Sequence, residues 1–138
     1  MDEYILDACT LIAYYTNEKG ADVVQDIISK AYFEKSNVSI SNINLLEVFY
    51  DVYKTQGEVE AKNFLHDIVN SPIRIIETIE RQAFIEAGRL KANYRISLAD
   101  SIFLAEVLTN ENCIGVTADH HEFDVVKEKE NVNLLFIR

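Results

Sequence analysis

Short apolar runs alternate with longer amphipathic stretches along the whole chain. Tyr4-Ile5-Leu6, Val38-Ser39-Ile40, Ile73-Arg74-Ile75-Ile76, Cys113-Ile114-Gly115-Val116 and Leu134-Leu135-Phe136-Ile137 are brief and mostly large and apolar, which predicts buried strands. Helical spacing fills the intervals. Leu11 to Tyr15 predicts a short helix. Gly20 to Phe33 predicts a longer one, with Val23, Val24, Ile27, Ile28, Ala31 and Tyr32 as its apolar stripe. Ser41 or Asn42 can cap a helix that runs to about Tyr53 through Leu45, Leu46, Phe49 and Val52. Gly57 to about Asn70 gives the next helix, and Pro72 marks the break before the third strand. A helix follows from about Ile79 to Asn93. The stretch ISLADSIFLAEVLTN gives another, with Ser97 and Asp100 spaced as a capping box.

Strands alternating with helices imply right-handed βαβ units and a parallel sheet covered on both faces. The expected fold class is α/β, a three-layer α/β/α sandwich around a central parallel five-stranded sheet. With one proline, four glycines, no internal repeat and no linker, residues 1–138 are expected to form a single domain.

Composition narrows the function classes. The apolar fraction of 49% suffices for a core, yet no run approaches the roughly 20 apolar residues of a membrane span. The opening MDEYILDA is acidic and lacks a basic n-region, so it does not read as a secretory signal. Cys9 and Cys113 are too few for a disulfide scaffold, and a reduced cytoplasmic setting is the expectation. The net charge of −10 argues against non-specific nucleic-acid binding by the surface as a whole, and it suits a basic protein partner. A local basic strip or bound metal ions can still recruit a nucleic acid.

Four acids stand in matching places. Asp7 ends the first strand, and Asp119 lies just beyond the fourth, in VTADHHEFD. Ligands of open parallel sheets gather outside the carboxyl ends of strands, at a topological switch point. Glu47 lies early in its helix, off the apolar stripe, with Asp51 one turn on, and like charges at that spacing repel unless a cation intervenes. Asp100 opens a helix that is apolar nearly all round, with Leu98, Ile102, Phe103, Leu104, Ala105 and Val107, and such helices are normally buried. Each acid also has an ordinary explanation. Asp7 can cap a helix beginning near Thr10, Asp100 can serve a cap, Glu47 can be an exposed helix charge, and Asp119 can be a turn residue. What these leave unexplained is the placement of all four at one end of the sheet. Together they suit a hard divalent cation, Mg²⁺ or Mn²⁺, which can activate water and neutralise charge on a scissile phosphate.

Four blocks, YILDACTLIAYY, SISNINLLEVFYDV, RLKANYRISLADSIFLAEV and IGVTADHHEFD, carry a resemblance to the PIN-domain family. Within it, the chain is similar to the single-domain VapC-type ribonuclease toxins of VapBC toxin–antitoxin modules. The resemblance covers the whole chain. It implies a sheet of order 3-2-1-4-5, with the first and fourth strands side by side. It also implies a metal-dependent endoribonuclease that uses Mg²⁺ or Mn²⁺ on an RNA substrate, a cognate antitoxin partner and a homodimer. Asp7, Glu47 and Asp100 match the family's three core metal-binding acids, Asp119 the more variable fourth, and Thr117 the hydroxyl residue that accompanies it. Asp124 matches a further acidic position. Cys9 departs from the family's usual Ser or Asn, and its thiol is a poorer hydrogen-bonding group.

Other residues invite a role. Arg89, Lys91 and Arg95 cluster before Asp100 and are candidates to hold RNA phosphates, against the alternative of a solvated helix face; Lys54 and Lys62 are weaker ones. Tyr14, Tyr50, Tyr53 and Tyr94 can stack bases, but core packing is the expectation for them. His120-His121-Glu122 does not read as zinc-binding, since adjacent histidines cannot readily face one ion. Cys9 lacks a visible base and is expected to be a small buried residue. Two rival classes remain: a PIN-like metal- or RNA-binding module that does not cleave, and a phosphate-accepting receiver domain. The latter wants an acceptor aspartate after the third strand, where this chain has IIETIER.

Overall fold

The computed structural model describes residues 1–138, the side chain of Glu122 excepted. The elements run β1 (Asp2–Leu6), α1 (Ala8–Tyr15), α2 (Ala21–Tyr32), β2 (Ser36–Ser41), α3 (Asn42–Gln56), α4 (Glu58–Val69), β3 (Arg74–Ile76), α5 (Arg81–Asn93), α6 (Leu98–Thr109), β4 (Cys113–Thr117), α7 (His120–Glu130) and β5 (Leu134–Phe136). All strand pairs are parallel, and the order is β3-β2-β1-β4-β5. The expected sandwich is therefore observed, strand order included.

Period-two geometry divides β1 between two cores. Leu6 joins Leu11, Val24, Ile40, Val48 and Phe64 in a cluster built with α1 to α4. Ile5 points the other way, toward Leu90, Phe103, Phe123, Val126 and Leu134, in a cluster built with α5, α6 and α7. A strand buried on both faces reads as a continuous apolar run, which is why Tyr4-Ile5-Leu6 was legible. The register aligns Leu6 with Ile40 on one side and Val116 on the other, so β1, β2 and β4 end level. After β1 the chain moves outward to β2 and β3, then returns to β4 on the opposite flank of β1, making the carboxyl end of β1 the switch point.

Two glycines are required by position. Gly57 turns α3 into α4 with φ of +93°, a conformation that L side chains rarely adopt. Gly115 lets β4 approach α6: a Cβ there would meet Leu134 Cδ2 at 2.8 Å, Val107 Cγ2 at 2.8 Å and the Phe103 ring at 2.9 Å. Gly115→Ala is therefore expected to destabilise the fold by about 1–3 kcal/mol through overpacking. Urea denaturation checks this, and an unchanged midpoint would show that the neighbours move aside freely.

The structure corrects several expectations. Helix α7 was not read from the sequence, because HHEFDVVKEKE is largely charged and buries just Phe123 and Val126 among its described side chains. The inward stripe of α3 is Leu45, Val48 and Val52, while Leu46 is 56% exposed. Tyr32 ends α2 facing solvent at 63% exposure, because its position has rotated past the sheet. Leu98 is likewise exposed, on the outer side of the first turn of α6.

Candidate functional site

Asp7 is 1% exposed and stands between β1 and α1. Its extended backbone makes it the N-cap of α1, with Oδ1 accepting from the Thr10 N–H at 2.8 Å. Oδ2 accepts from the Thr117 hydroxyl at 2.6 Å, across the sheet from the end of β4. The Thr117 oxygen in turn accepts from the Asp119 N–H at 3.1 Å, and the Thr10 hydroxyl donates to the Val116 carbonyl at 2.7 Å. The ends of β1 and β4 are thus joined through two threonines, with Asp7 and Asp119 on either side of Thr117. The capping role is real, and it fixes the orientation of a carboxylate that the cap alone would not require to be buried. Thr10 was not singled out from the sequence. Its signal was the spacing Asp-x-x-Thr, common to any capped helix.

Burial pushes the Asp7 carboxyl up from its usual 3.8 to about 6. The hydrogen bonds from Thr117 and Thr10 oppose that rise, and the Asp119 charge adds to it. Partial burial also raises the Glu47 carboxyl above its ordinary value. Asp100 lies in the first turn of α6, where its N–H donates to Ser97 Oγ at 3.0 Å, the expected cap bond.

Burial is the largest cause that lifts the Cys9 thiol to about 12, followed by the charges of Asp7, Asp119, Asp100 and Glu47. Cys9 lies in the first turn of α1 and is exposed as a residue, not buried as expected, although its thiol is partly withdrawn from solvent. A thiol held protonated in an anionic setting is a poor nucleophile.

The donor set is one of hard oxygens, the kind Mg²⁺ and Mn²⁺ select. Among the described residues no three His, Cys, Asp or Glu side chains stand close enough to hold an ion as placed. In kind, as hard oxygen donors, the carboxylates suit a divalent cation.

A buried amide lies beside them. Asn44, one turn before Glu47, is 1% exposed and donates from Nδ2 to Ser41 Oγ at 2.7 Å and to the Ala99 carbonyl at 3.3 Å. Its Oδ1 is buried with no hydrogen-bond partner among the described residues, which costs about 1–3 kcal/mol. Its one faint sign in the sequence is the spacing Ser41-x-x-Asn44, which capping alone explains.

Other expected residues are placed less centrally. Asp124 is 61% exposed on α7, with Oδ1 3.3 Å from His120 Nδ1, and His120 Nε2 lies 2.8 Å from the Arg138 carbonyl. Arg89 is engaged by Glu86 and Glu130, each at 2.7 Å, and Tyr94 donates to the same Glu130. These contacts tie α5 to α7, so Arg89 is not a free phosphate-binding cation. Lys91 and Arg95 are exposed. Tyr50 and Tyr53 are exposed rather than core, for with Ile43 and Leu46 they line the outer face of α3. A cleft of about 760 Å³, lined by Glu3, Asn37, Arg74, Glu106 and Cys113 among others, includes none of the four acids.

A five-stranded parallel sheet, with Asp7 and Asp119 linked through Thr117 at its switch point, defines an α/β protein. The family model of the PIN domain matches residues 4–129, and the chain belongs to that family. A comparison with curated proteins finds no match. Among solved structures, the DNA-bound VapBC of Salmonella typhimurium is similar in fold, with a TM-score of 0.76 at 15% identity over 100% of both chains. VapBC2 of Rickettsia felis bound to a promoter DNA fragment gives a TM-score of 0.72 at 21% identity, covering 97% of this chain and 98% of that one. VapBC-1 of nontypeable Haemophilus influenzae gives 0.72 at 15% identity over 98% of each. No helix among the described residues is long and apolar enough to cross a membrane.

Proposed function

We propose that the protein is a metal-dependent endoribonuclease, the toxin of a VapBC-type pair, formed of one PIN domain over residues 1–138. The observation that carries this reading is the tie of Asp7 to Thr117, and of Thr117 to Asp119, at the switch point of the sheet, with Glu47 and Asp100 near the starts of α3 and α6, which Asn44 joins. These carboxylates hold one or two Mg²⁺ or Mn²⁺ ions. When bound, such an ion supplies an activated water and neutralises charge on an RNA phosphodiester. Thr10 and Thr117 hold both oxygens of Asp7 in a fixed plane, so this carboxylate needs little reorganisation. Lys91 and Arg95 offer positive charge for RNA phosphates, whereas Arg89 is committed to Glu86 and Glu130.

A net charge of −10 suits a basic antitoxin segment laid over the acidic mouth. Ile43, Leu46, Tyr50 and Tyr53 form an exposed apolar stripe on α3, and this stripe supports a homodimer. The setting is cytoplasmic, with both cysteines free.

The test is cleavage of total RNA with Mg²⁺ or Mn²⁺, with EDTA, and with Asp100→Asn in parallel. Discrete cuts that need the ion and fall more than ~100-fold in the variant are expected. The second reading, a module that binds metal or RNA without cutting, rests on Cys9 standing where the family favours Ser or Asn. Metal binding by a folded wild type without turnover would establish it.

A further inference from the structure

If the acids form a divalent-cation site, Asn44 acquires a role beside it. Glu47 and Asp100 reach that site from different helices, α3 and α6, and nothing in the strand register fixes one helix against the other. Asn44 does. Its backbone N–H donates to Ser41 Oγ at 3.1 Å as part of the α3 cap, and its Nδ2 donates to the same oxygen at 2.7 Å. The second Nδ2 hydrogen goes to the carbonyl of Ala99, the residue before Asp100, at 3.3 Å. That carbonyl can only accept, which fixes the amide with its nitrogen toward α6. Oδ1 is left buried without a partner among the described residues.

An amide that satisfies its donor and orphans its acceptor is a poor choice for stability. Leucine has nearly the same shape and would bury no polar atom. Buried polar groups that break a local rule are the ones to ask about function. We propose that Asn44 is a positioning residue: by tying the first turn of α3 to the first turn of α6, it sets the span between Glu47 and Asp100 and hence the fit of the site to its cation. It acts through those two carboxylates and touches neither the ion nor the RNA. A purely structural brace would show the opposite pattern, a loss of stability with no change in the ion.

The experiment is calorimetric titration of Mn²⁺ into the full chain, alongside urea unfolding in EDTA, for wild type, Asn44→Leu and Asn44→Ser. Serine keeps a hydroxyl near Ser41 but is too short to reach α6. Asn44→Leu is expected to unfold at the same or higher urea concentration than wild type, while both variants bind Mn²⁺ on the order of 10-fold more weakly. If wild type binds Mn²⁺ and a folded variant matches it within about twofold, the positioning role is overturned and the cation site stands. Loss of stability in Asn44→Leu together with unchanged affinity in Asn44→Ser makes Asn44 a structural brace and overturns it too. If wild type binds no Mn²⁺, the reading of the site fails first and the role of Asn44 falls with it.

Discussion

Asp7→Asn is expected to abolish RNA cleavage and, in EDTA at pH 7.5, to make the protein more stable than wild type. The two effects have one cause. Asp7 is 1% exposed, and burial lifts its carboxyl to about 6, so at pH 7.5 the fold holds an ionised carboxylate where a neutral group is preferred. Asparagine keeps the shape and removes the charge, together with the repulsion from Asp119. It retains the acceptor for the Thr10 N–H, but an amide nitrogen now faces the Thr117 hydroxyl, which must turn to accept. The difference between 3.8 and about 6 corresponds to about 3 kcal/mol. Subtracting about 1–1.5 kcal/mol for the disturbed hydrogen bond leaves a net gain of about 1–2 kcal/mol. A rise in Tm of roughly 3–8 °C follows.

Cleavage moves the other way. Changing groups that merely orient metal ligands typically costs 10- to 100-fold, so removing a ligand charge should cost more than ~100-fold. Thermal melts in EDTA and RNA cleavage in Mn²⁺, on the same preparation, decide the matter. A variant that is less stable than wild type would mean Asp7 serves the fold as an ionised cap. One that cuts RNA normally would remove Asp7 from the site.

How much of this was legible depends on how the chain encodes each feature. Strand β1 was plain because both its faces are buried, and the helices with a buried stripe were plain for the corresponding reason. Helix α7 was hidden because two large apolar anchors, Phe123 and Val126, hold an otherwise charged segment. The outward turn of Leu46, Tyr50 and Tyr53 was hidden too, since periodicity shows that a helix has an apolar face and not whether that face meets its own core. The places of the acids were legible, because a strand end and a helix start are recognisable from the sequence. Their support was not. Thr117 reaches Asp7 across 110 positions of sequence, and Asn44 reaches Ala99 across 55, contacts that only the tertiary fold brings about. The tie of Arg89 to Glu130, 41 residues away, was hidden for a similar reason.

The same chemistry makes the stability of the metal-free protein depend on pH in an unusual direction. Most carboxylates that matter to a fold are held low by cations, as Glu130 is by Arg89, and stability from them is lost as pH falls. Asp7 is the reverse. Its folded value of about 6 exceeds its usual 3.8, so between these the folded state binds the extra proton and stability declines as pH rises. This contribution is fully present below about pH 4, lost by about pH 7 and worth about 3 kcal/mol. Glu47 adds to it in sign, its carboxyl being raised by burial. The difference between wild type and Asp7→Asn isolates the Asp7 part, since the other groups cancel. In EDTA, the advantage of the variant should therefore be large at pH 7.5 and nearly absent at pH 4.5. Mn²⁺ reverses the order at pH 7.5, because a cation that binds only the folded, ionised site adds about 2.7 kcal/mol at a hundredfold excess over its Kd. Urea midpoints for both proteins, at the two pH values and with EDTA or Mn²⁺, give the full set. A wild-type advantage in EDTA at pH 7.5 would show that the Asp7 charge is already compensated within the fold. An Mn²⁺ effect equal in both proteins would place the ion away from Asp7.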